Sequence, residues 1–357
     1  MQNCGIEDFP ANAEEFKDML VTFKEMDANG NGDPNDEIPM MAVPAGNMQV
    51  TMSNIFGMPL DWPWVGARYG ALYGTTEAVP TFMLDNYRDM IAYIHELYDE
   101  ELINQDLYSV TADESKARRL SDIYGVLETR NVTAEQEFDP DEWVAMPQFA
   151  TEYKKDPTEY IYMTPSFQTG MGCISGHTEY PEVCMRILDY FMSVDGTALQ
   201  NGNNSTTHDL VAAGVSQEVI DILDTSLTTY GDKNTAQANT MGASGCKNAT
   251  LLGAYALNST DNLIYNTFKE LALSYKDKIF YNPTHTLAYN EEEQEVVNAY
   301  YTDIDAYVIE KVSRWIVGEE ELNDDTWNAY IEQLKKMHVD DLTAANVSAH
   351  NRFFGVE

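Results

Sequence analysis

Residues 27–37 constrain the fold more than any other part of the sequence. These eleven residues include seven side chains that carry oxygen, and from Asp27 to Asn35 the oxygen-bearing residues alternate with small residues or proline. Calcium binds six to eight oxygen ligands at about 2.3–2.6 Å, from carboxylates, amides, backbone carbonyls and water. We therefore predict a loop that wraps oxygen atoms around a calcium ion. The predicted ligands come from Asp27, Asn29, Asn31, Asp33, Asn35, Asp36 and Glu37.

The order of residues in this loop matches only the first half of an EF-hand. Asp27 to Gly32 has the Asp-x-Asn-x-Asn-Gly opening, with a glycine where the sharp turn is needed. The position that holds the closing glutamate of an EF-hand is Ile38, so Asp36 or Glu37 must close the site from another direction. The pattern thus predicts a calcium loop but not a helix-loop-helix sensor. The alternative is a solvated acidic turn, because Asn-Gly and Asp-Pro are also ordinary turn sequences.

The composition indicates a folded protein with an acidic surface. A length of 357 residues favours two domains, and 44% hydrophobic residues are enough for sizeable cores. The 59 acidic and 21 basic residues give a net charge of −38, which repels nucleic acid and anionic membranes and argues mildly against polyanionic ligands. No stretch approaches the roughly 18 apolar residues of a membrane span. The four cysteines have neither zinc nor Cys-x-x-Cys spacing, so we expect free thiols.

Apolar residues recur at helical spacing in several segments. In the first, Asn12 and Glu15 predict a capping box, and the apolar face consists of Phe16, Met19, Leu20 and Phe23. Short apolar runs between these segments, such as residues 38–43, predict strands, and helices separated by short strands indicate an α/β fold. Trp315 and Trp327 lie at helical spacing among aliphatic residues, so we assign both to the core. In the helix that Pro181 opens and Asp195-Gly196 ends, we expect Val183, Ile187, Leu188 and Phe191 to face inward. The predicted helices span residues 12–26, 86–102, 181–194, 217–224, 291–317 and 325–337.

Four segments together resemble the extracellular solute-binding proteins of carbohydrate ABC importers. The branch is that of the large Gram-positive lipoproteins with LipO-like and alginate-binding members. The resemblance covers most of the chain and is weak over residues 201–280. The motifs are the helix that leads into Asn29-Gly-Asn-Gly and Asp36-Glu-Ile-Pro, residues 87–104, residues 180–196, and residues 282–353 with Trp315-Ile-Val-Gly-Glu and Trp327-Asn-Ala-Tyr.

The resemblance implies a type II periplasmic-binding-protein-like fold, in which two α/β lobes joined by a hinge close over a sugar. It also implies a structural calcium ion in the Asn-Gly-Asn-Gly loop, with Asp33 contributing its backbone oxygen. On this basis, residues 1–160 form the second lobe with the calcium loop. Residues 161–260 form a remnant of the first lobe and the hinge crossings, and residues 261–357 form a helical part that packs on the lobes.

The chain departs from this family at its start. Family members normally begin with a lipoprotein signal and a stretch of βαβ structure, whereas this chain starts almost at the helix of residue 12. We therefore expect a fragment with an incomplete first lobe. The resemblance implies an extracellular, cell-surface-anchored protein at full length, although the chain carries no signal. It also implies delivery of the sugar to an ABC permease, and we expect a monomer.

Sugar binding requires flat aromatic rings for the C–H faces and polar side chains for the hydroxyl rim. Residues 47–80 are rich in glycine, proline and aromatic residues, and residues 139–147 also resemble a loop. The alternative to sugar contact is packing, because aromatic residues in such loops also fill the interfaces between lobes. The candidate sugar ligands are Trp62, Trp64, Arg68, Tyr69, Arg130 and Trp143.

The sequence contains no catalytic motif that we can identify. The six histidines form no His-x-x-x-His cluster, no serine lies in a Gly-x-Ser-x-Gly elbow, and no phosphate-binding Gly-x-x-x-x-Gly-Lys loop is present. We therefore expect a binding protein rather than an enzyme. A pair of carboxylates is all that a glycoside hydrolase needs, so hydrolysis stays an alternative. A second alternative is a calcium-stabilised adhesion or scaffold module.

Overall fold

A computed structural model describes residues 1–33, 35–41, 48–58, 66–71, 78–111, 114–115, 117–118, 121–127, 143–162, 174–201, 210–211, 214–231, 271, 274, 279–281 and 288–355. The chain divides into two compact units. The first comprises Met1–Arg130, Met146–Ser166 and Ser274–Glu357, and the second comprises Asn131–Ala145 and Phe167–Leu273. Each unit combines segments that are distant in the sequence. This division does not test the three predicted ranges, and their assignment to lobes stays a prediction.

The helices follow the predicted positions closely, with three additions. Helices α2, α5 and α9 were not predicted. Helix α9 lies beyond His338, whose left-handed backbone (φ +67°) separates it from α8. In chain order the helices are α1 (Ala13–Glu25), α2 (Met48–Ile55), α3 (Asp85–Asp99), α4 (Pro181–Met192), α5 (Val194–Asn201), α6 (Gln217–Tyr230), α7 (Glu291–Ile316), α8 (Asp324–Lys336) and α9 (Val339–Phe354).

Six short strands are described, and all of them belong to the first unit. Strands β1 (Ile38–Met40) and β4 (Tyr124–Val126) pair in parallel, as do β5 (Tyr160–Tyr162) and β6 (Ile279–Tyr281). Strands β2 (Tyr69–Ala71) and β3 (Ala78–Pro80) form an antiparallel pair. The parallel pairs join residues far apart in the sequence, as expected for α/β architecture.

Helix α1 shows how the sequence determines local structure in the first unit. The Asn12 side chain accepts a hydrogen bond from the Glu15 N–H at 2.9 Å and caps the helix as predicted. The Glu15 carboxylate accepts from the Ala11 N–H at 2.8 Å rather than from the N-cap N–H, so the predicted capping box is not completed. The predicted apolar face of α1 is buried in the core, and it consists of Phe16, Met19, Leu20 and Phe23.

Helix α7 packs against α3, α9 packs on α7 and α8, and all three C-terminal helices contribute residues to this core. Trp315 and Trp327 are buried as predicted, with their ring centroids 5.8 Å apart. Glu293 near the start of α7 accepts hydrogen bonds from Arg352 near the end of α9, at 2.7 and 2.6 Å. The Arg352 guanidinium lowers the pKa of Glu293 to about 2, because it stabilises the carboxylate. This ion pair fastens the last helix to the first turn of α7.

The prediction for α4 is wrong at its apolar face. Val183 and Ile187 were expected to point inward, but 52% and 48% of their surfaces are exposed, and no residue of α4 is buried. The helix ends at Met192, Ser193 caps it, and α5 begins at Val194, so the end is not at the predicted Asp195-Gly196. Periodicity reports that a helix is amphipathic, but it does not report whether another element covers the apolar face. Among the described residues of the second unit, a buried hydrophobic cluster instead involves α5 and α6.

Lys154 gives the first unit a pH-dependent stability that can be measured. Its side chain is fully buried and donates to the Asn54 Oδ1 at 2.9 Å, and burial lowers its pKa to about 8. Between pH 8 and 10.5 the unfolded chain binds one more proton than the folded chain, so stability rises with pH. Relative to Lys154→Met, we expect the unfolding free energy of the wild type to rise by about 3 kcal/mol from pH 7.5 to 10.5.

Urea unfolding at several pH values measures this difference. The matched control is Lys155→Met, because Lys155 is the next residue and is exposed. We expect the control to follow the wild type across the pH range. If Lys154→Met also follows the wild type, the ammonium does not titrate near pH 8 in the folded protein.

None of the helices in the described ranges has both the length and the apolar character needed to cross a bilayer. Cys4 and Cys184 are free thiols, as expected.

Candidate functional site

The predicted calcium loop connects α1 to β1 and is wound by its own side chains. The Asn29 Oδ1 accepts from the Asn31 N–H at 2.9 Å, and the Asn31 Oδ1 accepts from the Asp33 N–H at 2.8 Å. The Asp33 Oδ1 accepts from the Asn35 N–H at 3.1 Å, so three successive bonds each span two residues. Gly32 has φ +94°, and its N–H donates to the Asp27 Oδ2 at 2.8 Å. The alternation of oxygen-bearing and small residues therefore produces the winding.

Three carboxylates of this loop each use one oxygen and leave the other without a partner. The Asp36 Oδ2 accepts from the Asn31 Nδ2 at 2.7 Å, and the Glu37 Oε1 accepts from the Ala28 N–H at 2.8 Å. Asp27 uses its Oδ2 in the bond to the loop backbone. The second oxygens, Asp27 Oδ1, Asp36 Oδ1 and Glu37 Oε2, are buried and accept no hydrogen bond.

These oxygens are chemically suited to a hard cation. A buried polar atom without a partner costs about 1–3 kcal/mol, and more when it is charged. Calcium prefers carboxylate, amide and backbone oxygens, which are the donors this loop contains. Among the described residues, no group of three or more His, Cys, Asp or Glu side chains is arranged to hold a metal ion. The oxygen donors of the loop nevertheless match the ligands that calcium prefers.

Contacts on both sides attach the loop to the first unit. On one side the Asn3 Nδ2 donates to the Ala28 carbonyl at 3.0 Å, so the turn formed by Gln2–Cys4 lies against the loop. On the other side the Ile38 N–H donates to the Ile123 carbonyl at 2.7 Å, where β1 meets the segment that leads into β4. A well-ordered conformation of the loop therefore helps to hold β1 and the N-terminal turn in place.

The structure locates some of the predicted sugar ligands. Trp62, Trp64 and Arg130 lie outside the described residues. Trp143 is partly buried and belongs to the second unit. Arg68 and Tyr69 belong to the first unit and lie at the start of β2. Among the described candidates, the structure brings together these two neighbours.

The side chains of Arg68 and Tyr69 are both engaged within the protein. The Arg68 Nη1 donates to the Tyr301 hydroxyl of α7 at 2.6 Å. The hydroxyls of Tyr69 and Thr343 are 3.1 Å apart, and the Tyr69 ring meets Phe82 edge-on at 5.7 Å. Burial raises the pKa of Tyr69. Tyr69 therefore helps to pack β2 against α9, and its role as a sugar ligand stays a prediction.

Comparisons with known sequences give one partial match. No protein-family model matches the chain. Lipoprotein LipO of Bacillus subtilis (strain 168) is 36% identical over 110 residues, which are 30% of this chain and 20% of that protein. The match therefore spans a fifth of the curated relative.

Comparisons of structure extend over nearly the whole chain. An HMO-binding, ABC-transporter-associated solute-binding protein from Bifidobacterium longum infantis matches 99% of this chain and 72% of its own, with a TM-score of 0.65 and 17% identity. The S. pneumoniae ABC-transporter substrate-binding protein FusA, in complex with kestose, matches 100% and 71%, with a TM-score of 0.67 and 17% identity. The alginate-binding protein AlgQ2 matches 98% and 70%, with a TM-score of 0.63 and 12% identity.

These matches confirm the predicted resemblance and the predicted fold class. The matching structures named above are all described as binding proteins, as the resemblance implied. The chain has the α/β, periplasmic-binding-protein-like fold of the solute-binding proteins of carbohydrate ABC transporters.

Proposed function

We propose that this protein binds an extracellular oligosaccharide and delivers it to the permease of an ABC importer. The observation that carries the proposal is the match of nearly the whole chain to several carbohydrate-binding proteins of such importers. The partial match to a lipoprotein supports a location at the outer cell surface. Binding and delivery require no chemical step, so the absence of a recognisable catalytic motif in the sequence is compatible with this role.

The chemistry of the chain favours an uncharged oligosaccharide. A net charge of −38 disfavours a polyanion, because ligand and protein repel each other before contact. Two structural neighbours are complexes with sugars, one with kestose and one with Man5GlcNAc. These two neutral oligosaccharides are therefore suitable first probes.

The proposed sugar contacts are aromatic faces and bidentate donors. Trp62 and Trp64 offer flat rings for the C–H faces, and Arg68 and Arg130 offer paired N–H donors for hydroxyl groups. Tyr69 of the first unit and Trp143 of the second unit are further candidates for contacts with the sugar through their aromatic rings.

Calcium is the proposed structural ion of the loop. The unpartnered carboxylate oxygens of Asp27, Asp36 and Glu37 support this assignment, together with the hard oxygen donors of the remaining loop residues. A neighbouring structure is described as an EF-hand mutant and another as lacking its calcium ion. The proposed role of the ion is to hold the loop between α1 and β1, with no part in chemistry.

Native mass spectrometry tests the proposed function. The purified chain, with calcium, is incubated with a pool of neutral oligosaccharides that contains kestose and Man5GlcNAc. We expect one intact oligosaccharide to be retained per protein. Cleaved sugars would overturn the proposal in favour of a glycoside hydrolase. A folded protein that retains no sugar would favour an adhesion or scaffold module.

Titration calorimetry with the retained sugar tests the aromatic contacts. We expect Trp62→Ala and Trp64→Ala each to weaken binding at least tenfold, since aromatic anchors commonly contribute more than 1.4 kcal/mol. The matched control is Tyr180→Ala, which removes an aromatic side chain that is 66% exposed. Equal affinity of all three variants would exclude Trp62 and Trp64 from the sugar site.

A further inference from the structure

The carboxylate of Asp305 on α7 lies directly against the backbone that precedes β2. Gly66 has φ +124°, a conformation that favours glycine. A Cβ at this position would lie 2.1 Å from the Asp305 Oδ1, so the carboxylate occupies the space where other residues carry a side chain. The same oxygen accepts a hydrogen bond from the Ala67 N–H at 2.8 Å.

Tyr301 extends this contact to the side chain of Arg68. Tyr301 lies one helical turn before Asp305, and its hydroxyl donates to the Asp305 Oδ1 at 3.3 Å. The same hydroxyl accepts from the Arg68 Nη1 at 2.6 Å. Burial raises the pKa of Tyr301, which keeps the phenol neutral and able to donate. The guanidinium, the phenol and the carboxylate thus form one chain of hydrogen bonds.

The elements that carry this chain are rigid. Ile304 and Val308, on either side of Asp305 in α7, are fully buried in the core. The Arg68 carbonyl accepts from both the N–H and the hydroxyl of Thr81, at 3.1 and 2.8 Å. Both the backbone and the guanidinium of Arg68 are therefore fixed, as a precise binding contact requires.

We propose that Asp305 is a positioning residue for sugar binding. It orients Arg68 through two routes, which are the hydrogen bond to the Ala67 N–H and the relay through the Tyr301 hydroxyl. This inference rests on the proposed function, in which Arg68 donates to sugar hydroxyls. Asp305 itself makes no sugar contact in this account, so its removal acts through Arg68.

Affinities for kestose and Man5GlcNAc, measured by calorimetry, test the inference. We expect Asp305→Ala to weaken binding about tenfold, by analogy with the loss seen when a residue that orients a metal ligand is removed. Asp305→Asn keeps an oxygen that can accept from the Ala67 N–H, so we expect it to retain most of the affinity. The matched control is Asp303→Asn, which changes an exposed residue of the same helix and should bind as the wild type does.

A double-mutant cycle separates positioning from a general loss of stability. If Asp305 acts through Arg68, then Asp305→Ala has no further effect on affinity in an Arg68→Ala background. Hydrogen exchange at the Ala67 amide should also accelerate in Asp305→Ala. A variant that melts earlier yet binds sugar as tightly as the wild type would overturn the inference. A wild type that binds neither probe would instead overturn the proposed function, and with it this role of Asp305.

Discussion

Chelation of calcium should lower the midpoint of thermal unfolding by about 5–10 °C. An ion that binds only the folded state stabilises it by about 2.7 kcal/mol when its concentration is 100 times the dissociation constant. In a unit of 150–250 residues, each kcal/mol shifts the midpoint by about 2–4 °C. The loop that would hold the ion is attached to α1, β1 and the N-terminal turn, so its order affects several elements. Scanning calorimetry in EGTA and in millimolar calcium measures the shift.

Substitutions in and beside the loop make this result specific. Asp27→Asn keeps an oxygen that can accept from the Gly32 N–H, but it removes a charge and one of the unpartnered carboxylate oxygens. We expect this variant to lose most of the calcium response. Glu25→Gln removes the same charge from an exposed position two residues earlier and should keep the response. Equal midpoints of the wild type with and without calcium would contradict the calcium assignment and favour the alternative of a solvated acidic turn.

The fold was predictable where an apolar stripe is continuous. The stripe of α1 reads Phe16, Met19, Leu20 and Phe23, and each of these residues is buried. Helix α9 was missed because its buried face mixes small and polar residues with aliphatic ones. Ala345, Asn346, Ala349 and His350 are all at most 6% exposed. Alanine and asparagine carry too little of the hydrophobic signal to mark a helix face.

The predicted site shows the same limit at longer range. The order of residues in the calcium loop is local, and the winding observed between Asn29 and Asn35 follows from it. The contact between Asn3 and Ala28 spans 25 residues, and the contact between Ala67 and Asp305 spans 238. The residues that flank these contacts in the sequence form no pattern that predicts either contact. Such supporting residues emerge only once the fold has brought distant segments together.

The aromatic cluster of the C-terminal helices should be the most sensitive part of the core. Tyr330 on α8 is fully buried, and its ring centroid lies 5.1 Å from those of both Trp315 and Trp327. Its hydroxyl donates to the Phe82 carbonyl at 3.0 Å. We expect Tyr330→Ala to lower the free energy of unfolding by about 4 kcal/mol, because it leaves a large cavity among these rings.

A second substitution divides this effect into packing and hydrogen bonding. Tyr330→Phe keeps the ring and removes only the donor to the Phe82 carbonyl, so we expect a loss of about 1–2 kcal/mol. Ile309→Ala, at a position on α7 that is 39% exposed, controls for truncation to alanine at the surface. Urea unfolding of the three variants gives the comparison. A loss in Tyr330→Phe as large as that in Tyr330→Ala would contradict the packing account. Thr81 precedes Phe82 and bonds to the Arg68 carbonyl, so a loosened cluster should also reduce sugar affinity.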